Sequence, residues 1–216
     1  MTADLFADQP RPPAQLSLAE GACVLQAFAQ EQQQALLAEI DALLTQAPLR
    51  HLLTPSGHTM SVAMSNCGAL GWVSDARGYR YDVRDPLTGK TWPVMPALFA
   101  QLALEAAAAA GFEGFRPDAC LINHYVPGAK LSLHQDRDER DRRQPIVSVS
   151  LGLPAVFQFG GLTRSGPLQR TRLESGDVVV WGGPSRLAYH GVAALADGEH
   201  GLTGRCRYNL TFRRAA

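Results

Sequence analysis

An imidazole and a carboxylate stand two residues apart in His134-Gln135-Asp136. If that tripeptide closes a β-strand, both side chains leave the same face and offer a metal two ligands at once. His190 lies 54 residues beyond Asp136 (190 − 136), in a Tyr-His-Gly context at the start of a late strand. In a jelly roll, early and late strands are neighbours, so a distant third ligand is topologically natural. Two histidines and one carboxylate leave three coordination positions open, the donor set of non-haem Fe(II) sites that handle oxygen. An H-x-D pair also arises by composition alone, and a lone His190 reads as readily as a surface turn residue. The weight therefore rests on what accompanies them.

The C-terminal strand supplies that accompaniment. In Arg207-Tyr208-Asn209-Leu210-Thr211-Phe212-Arg213 the alternation is strict. A period of two puts Arg207, Asn209, Thr211 and Arg213 on one face and Tyr208, Leu210 and Phe212 on the other. The apolar face belongs to the core. The polar face carries two guanidiniums separated by roughly 20 Å of strand rise, less with twist and side-chain reach. Two such forks suit a ligand with two carboxylates; the bland alternative is an exposed edge face with solvated arginines. Asn123 and Tyr125 share another strand face beside the H-x-D, with His124 between them. Other catalytic signatures are missing: there is no H-E-x-x-H, G-x-S-x-G or G-x-G-x-x-G. Gly89-Lys90-Thr91 lacks the first glycine of a phosphate loop, because position 84 is Arg84.

These residues need a scaffold that brings distant strands together. Residues 1–20 are rich in Pro and Ala and read as an irregular leader. Apolar residues at Leu36, Leu37, Ile40, Leu43 and Leu44 predict a helix over Glu31–Gln46, ended by Pro48. A second helix is expected over Ala97–Ala110, opened by Pro96 and stopped by Gly111. Between them, 51–95 is rich in Gly, Pro, aromatics and short polar stretches and reads as a hairpin or lid rather than core. After Gly111, eight turn-bounded β-rich runs follow: Ala119–Val126, Lys130–His134, Ile146–Leu153, Ala155–Phe159, Leu168–Leu173, Asp177–Trp181, Tyr189–Val192 and Cys206–Phe212. Short strands at such intervals predict an antiparallel sandwich or jelly roll with the helices outside. The expected organisation is one structural domain, with helices and lid over 21–111 and the β core over 112–216.

Composition narrows the class. The chain has 216 residues, 46% of them hydrophobic and 19% charged, which describes a packed globular domain. No apolar run has the roughly 18 residues of a membrane helix, and MTADLFADQP has no basic cluster and no apolar stretch of a secretory signal. Four cysteines without a C-x-x-C exclude a zinc ribbon and predict free thiols, consistent with a cytoplasmic setting. Net charge is zero, but 160–216 carry eight basic and four acidic groups. A basic C-terminal quarter permits an anionic ligand or a nucleic-acid backbone without demanding one.

Asn123 to Asp136, NHYVPGAKLSLHQD, resembles the N-x-Y-x-P-G-x-x-L-x-x-H-x-D signature of the AlkB family of Fe(II)/2-oxoglutarate dioxygenases. His190 and the R-x-N-x-x-x-R of Arg207, Asn209 and Arg213 occupy the remaining places in order. The resemblance extends through TMSVAMSNCGALGW, PIVSVSLGLPAVFQFGG and GDVVVWGG, nearly the whole chain from about Gly21. It implies a double-stranded β-helix enzyme that oxidatively removes methyl groups from 1-methyladenine and 3-methylcytosine, releasing formaldehyde, succinate and CO2. It further implies Fe(II) on His134, Asp136 and His190. A 2-oxoglutarate site would be drawn from Asn123, His124, Tyr125, Arg207, Asn209 and Arg213, with O2 as the second co-substrate. By analogy Arg207, Asn209 and Tyr125 hold the distal carboxylate, and Arg213 and Asn123 the one nearer the metal; His124 stands at the variable position of the signature.

The same resemblance implies a substrate grip. A methyl inside a duplex cannot be reached, so the base must be flipped out. Trp72 would stack on a cationic methylated base, Asp138 would contact its edge, and Tyr79, Arg80, Tyr81 and Arg164 would meet the base or the phosphate backbone. The run Arg137 to Arg143 reads as a solvated loop. The expected partner is alkylated DNA, preferentially single-stranded, with no membrane and no obligate protein partner, the chain acting as a monomer. Two alternatives stand beside this: the same chemistry on RNA or another methylated substrate, and a jelly-roll module that holds a metal without turnover.

Overall fold

A computed structural model of the chain describes residues 11–216. The strands and helices run β1 (Ala14–Ala19), β2 (Ala22–Gln26), α1 (Gln33–Gln46), β3 (Arg50–Leu53), β4 (Thr59–Gly68), β5 (Gly71–Asp75), β6 (Gly78–Asp82) and α2 (Ala97–Ala109). Then come β7 (Ala119–Tyr125), β8 (Leu131–His134), β9 (Ile146–Gly152), β10 (Ala155–Phe159), β11 (Gln169–Leu173), β12 (Val178–Trp181), β13 (His190–Val192) and β14 (Arg207–Arg213). All eight strands expected after Gly111 are present. They divide between a large antiparallel sheet, ordered β1-β2-β12-β9-β14-β7-β4-β3, and a small one, ordered β11-β10-β13-β8. The two sheets make the jelly roll, and β5–β6 forms a separate two-stranded hairpin.

Alternation decides what each strand gives to which side. In β12, Val178 and Val180 join the cluster under the helices, while Val179 and Trp181 join the cluster between the sheets. In β14, Leu210 and Phe212 pack under the helices, so Arg207, Asn209, Thr211 and Arg213 must point between the sheets. β9 repeats the pattern, with Val147, Val149 and Leu151 under the helices and Ser148 and Ser150 opposite. Helix α1 buries Leu36, Ile40 and Leu43, the i, i+4, i+7 stripe expected. Helix α2 buries Phe99, Leu102, Ala103, Ala106 and Ala107; its alanines let it lie close to the sheet. It stops where Gly111 adopts φ +87°, a left-handed conformation that suits glycine.

The N-terminal half departs from expectation in three places. Within the supposed leader, residues 1–10 lie outside the described residues, but Ala14–Ala19 forms the edge strand β1, paired with β2. β1 is mostly exposed, and its short Leu16/Leu18 alternation, of which only Leu18 packs against the core, is a weak strand signal. β2 pairs with β12 and is buried almost throughout; its short apolar run was not among the expected strands. The stretch 51–95 is not all lid: β4 pairs with β7 inside the large sheet and buries Val62 to Cys67. Its Ser and Asn read as polar, yet Ser65 and Asn66 are buried with hydrogen bonds to backbone. The four thiols are free, and Cys67 and Cys120 are cross-strand neighbours in the core.

Phe99 and Phe212 meet edge to face, with ring centroids 5.9 Å apart, pinning α2 to β14. Replacing Phe212 by Ala is expected to lower the unfolding free energy by about 3–5 kcal/mol, read as a fall in the urea midpoint at unchanged slope.

Candidate active site

β8 and β13 are antiparallel neighbours, and their register places His190 directly opposite His134. The imidazole centroids are 4.4 Å apart. Each ring is fixed from behind: Nδ1 of His134 lies 2.8 Å from the Ser132 carbonyl and Nδ1 of His190 lies 3.0 Å from that of Ala188. Donation of Nδ1–H to those carbonyls sets the tautomer and leaves both Nε2 atoms as acceptors facing inward. Nε2 of His134 lies 3.6 Å from Asp136 Oδ1 and Nε2 of His190 lies 3.8 Å from Asp136 Oδ2. One ligand atom from each of the three residues falls within 4.8 Å of the others.

Asp136 reaches this point differently from the sequence argument. β8 ends at His134, so strand alternation does not aim the carboxylate. Arg213 does: its Nε and Nη2 donate to Asp136 Oδ2 at 2.9 and 2.7 Å, and Arg186 Nη1 donates to the Asp136 backbone carbonyl at 2.7 Å. Burial disfavours the Asp136 charge, but Arg213, with His190 and His134, outweighs it and holds the carboxyl well below its usual range. Burial and the neighbouring His134 push His190 down to about 3. The centre therefore presents a neutral His190 imidazole and an ionised Asp136 carboxylate beside the inward-facing Nε2 of His134, a donor set suited to a divalent cation.

Two residues the sequence reading passed over complete this framework. Glu139 lies inside the run expected to be a solvated loop, yet it is 4% exposed. Its Oε2 accepts from Arg186 Nη2 at 3.0 Å, its Oε1 accepts from the Tyr81 hydroxyl at 2.7 Å, and Arg213 Nε lies 3.4 Å away. Arg186, 3% exposed, also donates Nε to the Gln144 carbonyl. No local pattern marks Glu139, because its partners come from other parts of the chain.

Behind the metal centre lies a cavity of about 650 Å³ between the sheets, whose walls include His134, Asp136, His190, Arg207, Asn209 and Arg213. Arg207 is the telling member. It is 1% exposed, its Nη2 donates to Ser150 Oγ at 3.0 Å, and its Cζ lies 5.0 Å from the Tyr125 ring centroid. Its Nε and Nη1 have no partner. A buried guanidinium with two unpartnered nitrogens is costly unless an anion completes it. A second cavity, about 220 Å³, lies beside the Arg50–Asp85 ion pair, away from the triad.

The register redistributes the other expected cofactor residues. Arg207 pairs with Tyr125, and Asn209 with Asn123; Asn123 Nδ2 donates to Asn209 Oδ1 at 3.1 Å. Asn123 therefore stands level with Asn209 rather than beside Arg213, whose cross-strand partner is Ala119. Asn123 Oδ1 is buried and unpaired. His124 falls on the opposite face, as period two requires, with its ring 4.9 Å from that of Tyr208, and it does not line the cavity.

At the mouth, Trp72, Tyr79, Asp138 and Arg164 all line the cavity. Trp72 stacks on Tyr79 with centroids 5.5 Å apart and planes 13° from parallel, and its Nε1 donates to Asp138 Oδ2 at 3.0 Å. Arg80 and Tyr81 are not brought there. Arg80 is held by Asp75 at 2.9 Å, and Tyr81 turns inward to Glu139.

Comparison with known proteins agrees with this geometry. The 2OG-Fe(II) oxygenase superfamily profile matches residues 21–213. The alpha-ketoglutarate-dependent dioxygenase AlkB of Salmonella typhimurium is 62% identical over 213 residues, covering 99% of this chain and 98% of its own. The chain belongs to the AlkB family of 2OG-Fe(II) oxygenases. Members of that superfamily work with Fe(II), 2-oxoglutarate and O2, and the donor set and the orphaned Arg207 fit the first two. Within the wider AlkB family, the human nucleic acid dioxygenase ALKBH1 is 34% identical over 132 residues, 61% of this chain and 34% of its own. The solved structure of OsALKBH1 superposes with a TM-score of 0.83 at 29% identity, over 93% of this chain and 100% of that one.

The AlkB-family hairpin that carries Trp72 is attached by a side chain imitating a strand. Buried Asn66, on β4, donates Nδ2 to the Trp72 carbonyl at 3.0 Å and accepts the Trp72 N–H on Oδ1 at 2.9 Å. Asn66→Ala leaves both backbone groups without those partners, at a cost of about 1–3 kcal/mol. Faster hydrogen exchange at the Trp72 amide, with β7 amides unchanged, is the expected result.

Proposed function

We propose that this dioxygenase oxidatively demethylates 1-methyladenine and 3-methylcytosine in DNA, with single strands preferred, and so reverses alkylation damage directly. The reading is carried by one observation: a single cavity joins the His134–Asp136–His190 centre, the anion-hungry Arg207 and an aromatic mouth formed by Trp72 and Tyr79. In this reading His134, Asp136 and His190 hold Fe(II). Arg207, with Asn209 and Tyr125, takes the distal carboxylate of 2-oxoglutarate, and Arg213 lies at the metal end. Bound iron, with 2-oxoglutarate and O2, supplies the oxidation that hydroxylates the N-methyl group, and the hydroxymethyl product loses formaldehyde.

The chain's own residues do the rest. Arg207 and Arg213 orient the two ends of the co-substrate from one strand face. The apolar wall made by Phe157 and Trp181, whose ring centroids lie 6.1 Å apart, keeps bulk water from one side of His190. The hairpin β5–β6 acts as the nucleotide-recognition lid over the β core. Trp72, braced by Tyr79, stacks on the extruded base; because the lesion base is cationic, the ring adds about 0.5–2 kcal/mol, and the Asp138 carboxylate favours the same charge. Arg164, exposed at the rim, meets the backbone phosphates. The chain is proposed to act as a monomer that needs no obligate protein partner.

Mass spectrometry of single-stranded oligomers bearing one 1-methyladenine or 3-methylcytosine, incubated aerobically with Fe(II), ascorbate and 2-oxoglutarate, should show loss of one methyl only when the keto acid is present. His134→Ala should abolish that loss while retaining oligomer binding. Faster turnover of RNA than DNA would move the substrate to RNA, and no methyl loss with succinate still formed would move it elsewhere.

Arg207→Ala should raise the 2-oxoglutarate concentration needed for half-maximal succinate formation about tenfold or more, since a hydrogen-bonded charge contributes about 1.5–3 kcal/mol. An unchanged requirement would show that the distal carboxylate sits elsewhere.

A further inference from the structure

We propose that Tyr81 and Glu139 are positioning residues through which the seating of the β5–β6 hairpin and the metal-binding carboxylate of Asp136 influence each other. The inference rests on the function proposed above and adds to it a link between substrate grip and metal centre.

Trp72 and Tyr81 are cross-strand partners in the hairpin. From that one rung, the Trp72 indole reaches Asp138 and the Tyr81 hydroxyl reaches Glu139. Two consecutive residues of the loop that starts at Asp136 are thus held by two paired residues of the lid. The exposed Asp138 contact can exchange with water. The Glu139 contact cannot do so freely, because Glu139 is 4% exposed and Arg186 fixes its other oxygen.

From Glu139 the path is short. The oxygen that accepts from Tyr81, Oε1, lies 3.4 Å from Arg213 Nε. That nitrogen and Nη2 donate to Asp136 Oδ2. Glu139 and Asp136 therefore share one guanidinium, and the Tyr81 hydroxyl satisfies part of Glu139's demand for it. Without that hydroxyl, Glu139 Oε1 turns to Arg213 alone and competes with Asp136. β5–β6 is a sheet of its own, and its pairing does not require the Tyr81 contact. Binding that seats the hairpin keeps Arg213 aimed at Asp136, and by linkage a cation at Asp136 favours the seated hairpin.

The test uses Co(II), a cation that supports binding without turnover, followed by its visible absorption in the full-length protein with 2-oxoglutarate. Titrations are made with and without a single-stranded DNA oligomer carrying one 1-methyladenine. In the unsubstituted protein the oligomer should tighten Co(II) about fivefold or more, and Co(II) should tighten the oligomer by the same factor. In Tyr81→Phe both factors should collapse towards one, while the urea midpoint falls only slightly. Tyr81→Phe retaining the full factor, or an unsubstituted protein showing none, would overturn the inference and leave the proposed function standing. An unsubstituted protein that bound no Co(II), or bound it equally well as His134→Ala, would instead overturn the assignment of the metal site itself.

Discussion

The buried contact between Arg213 and Asp136 is the constraint on which the site depends. It joins the C-terminal strand to the loop after β8, where strand pairing stops at His134 and side chains take over the positioning of Asp136. A charge pair this deep is a poor source of net stability, because desolvation offsets most of the attraction, yet removing either partner costs about 3–5 kcal/mol. Its value is directional. Both donors of Arg213 fall on Oδ2, so the carboxylate is oriented as well as neutralised. Glu139 and Arg186, each nearly inaccessible, bring the group to two positive and two negative charges. That balance lets four ionised side chains share one dry region.

The double-sheet architecture supplies the second requirement, a polar interior inside an apolar shell. One strand cannot line a cavity and fill a core unless its faces are sorted, and β9, β12 and β14 all sort them by simple alternation. Their helix-facing residues are Val, Leu and Phe, while β14 sends Arg207, Asn209, Thr211 and Arg213 inward. The inward groups satisfy one another where they can: Asn209 donates to Ser148 and to the Val149 carbonyl, and accepts from Thr211. The unpaired N–H groups of Arg207, like Asn123 Oδ1, stand out against these paired groups.

The hairpin over the cavity follows a different rule. It belongs to neither large sheet and is attached by side chains: Asn66 to the Trp72 backbone, Ser74 to the Leu53 carbonyl, and Tyr81 to Glu139. Such attachments are fewer and weaker than a shared β ladder. An element held this way can adjust to a ligand without disturbing the core beneath it.

The sequence by itself determined much of the protein. Eight strands beyond Gly111, both helices, the inward face of β14 and the candidate triad of His134, Asp136 and His190 were legible, because period-two and helical spacing are local and the H-x-D with a late His is a compact signal. The resemblance to the family singled out Arg207 for the co-substrate, while its burial and missing partners are revealed by no spacing. Tertiary structure alone decided the rest. β1 carries only a two-leucine alternation, Leu16 and Leu18, and β2 only a short apolar run, so each is a strand by virtue of the strand beside it. Asn123 belongs with Asn209 and not with Arg213 because register, not order in the chain, sets the partners. Glu139 looked like one acid in a solvated charged run, and Tyr81 like a residue facing phosphate. Glu139 is buried and Tyr81 turns inward to it because Arg186 and Arg213, 47 and 74 residues beyond Glu139 (186 − 139 and 213 − 139), arrive at the same point in space, and charge complementarity across such separations leaves no trace in local pattern.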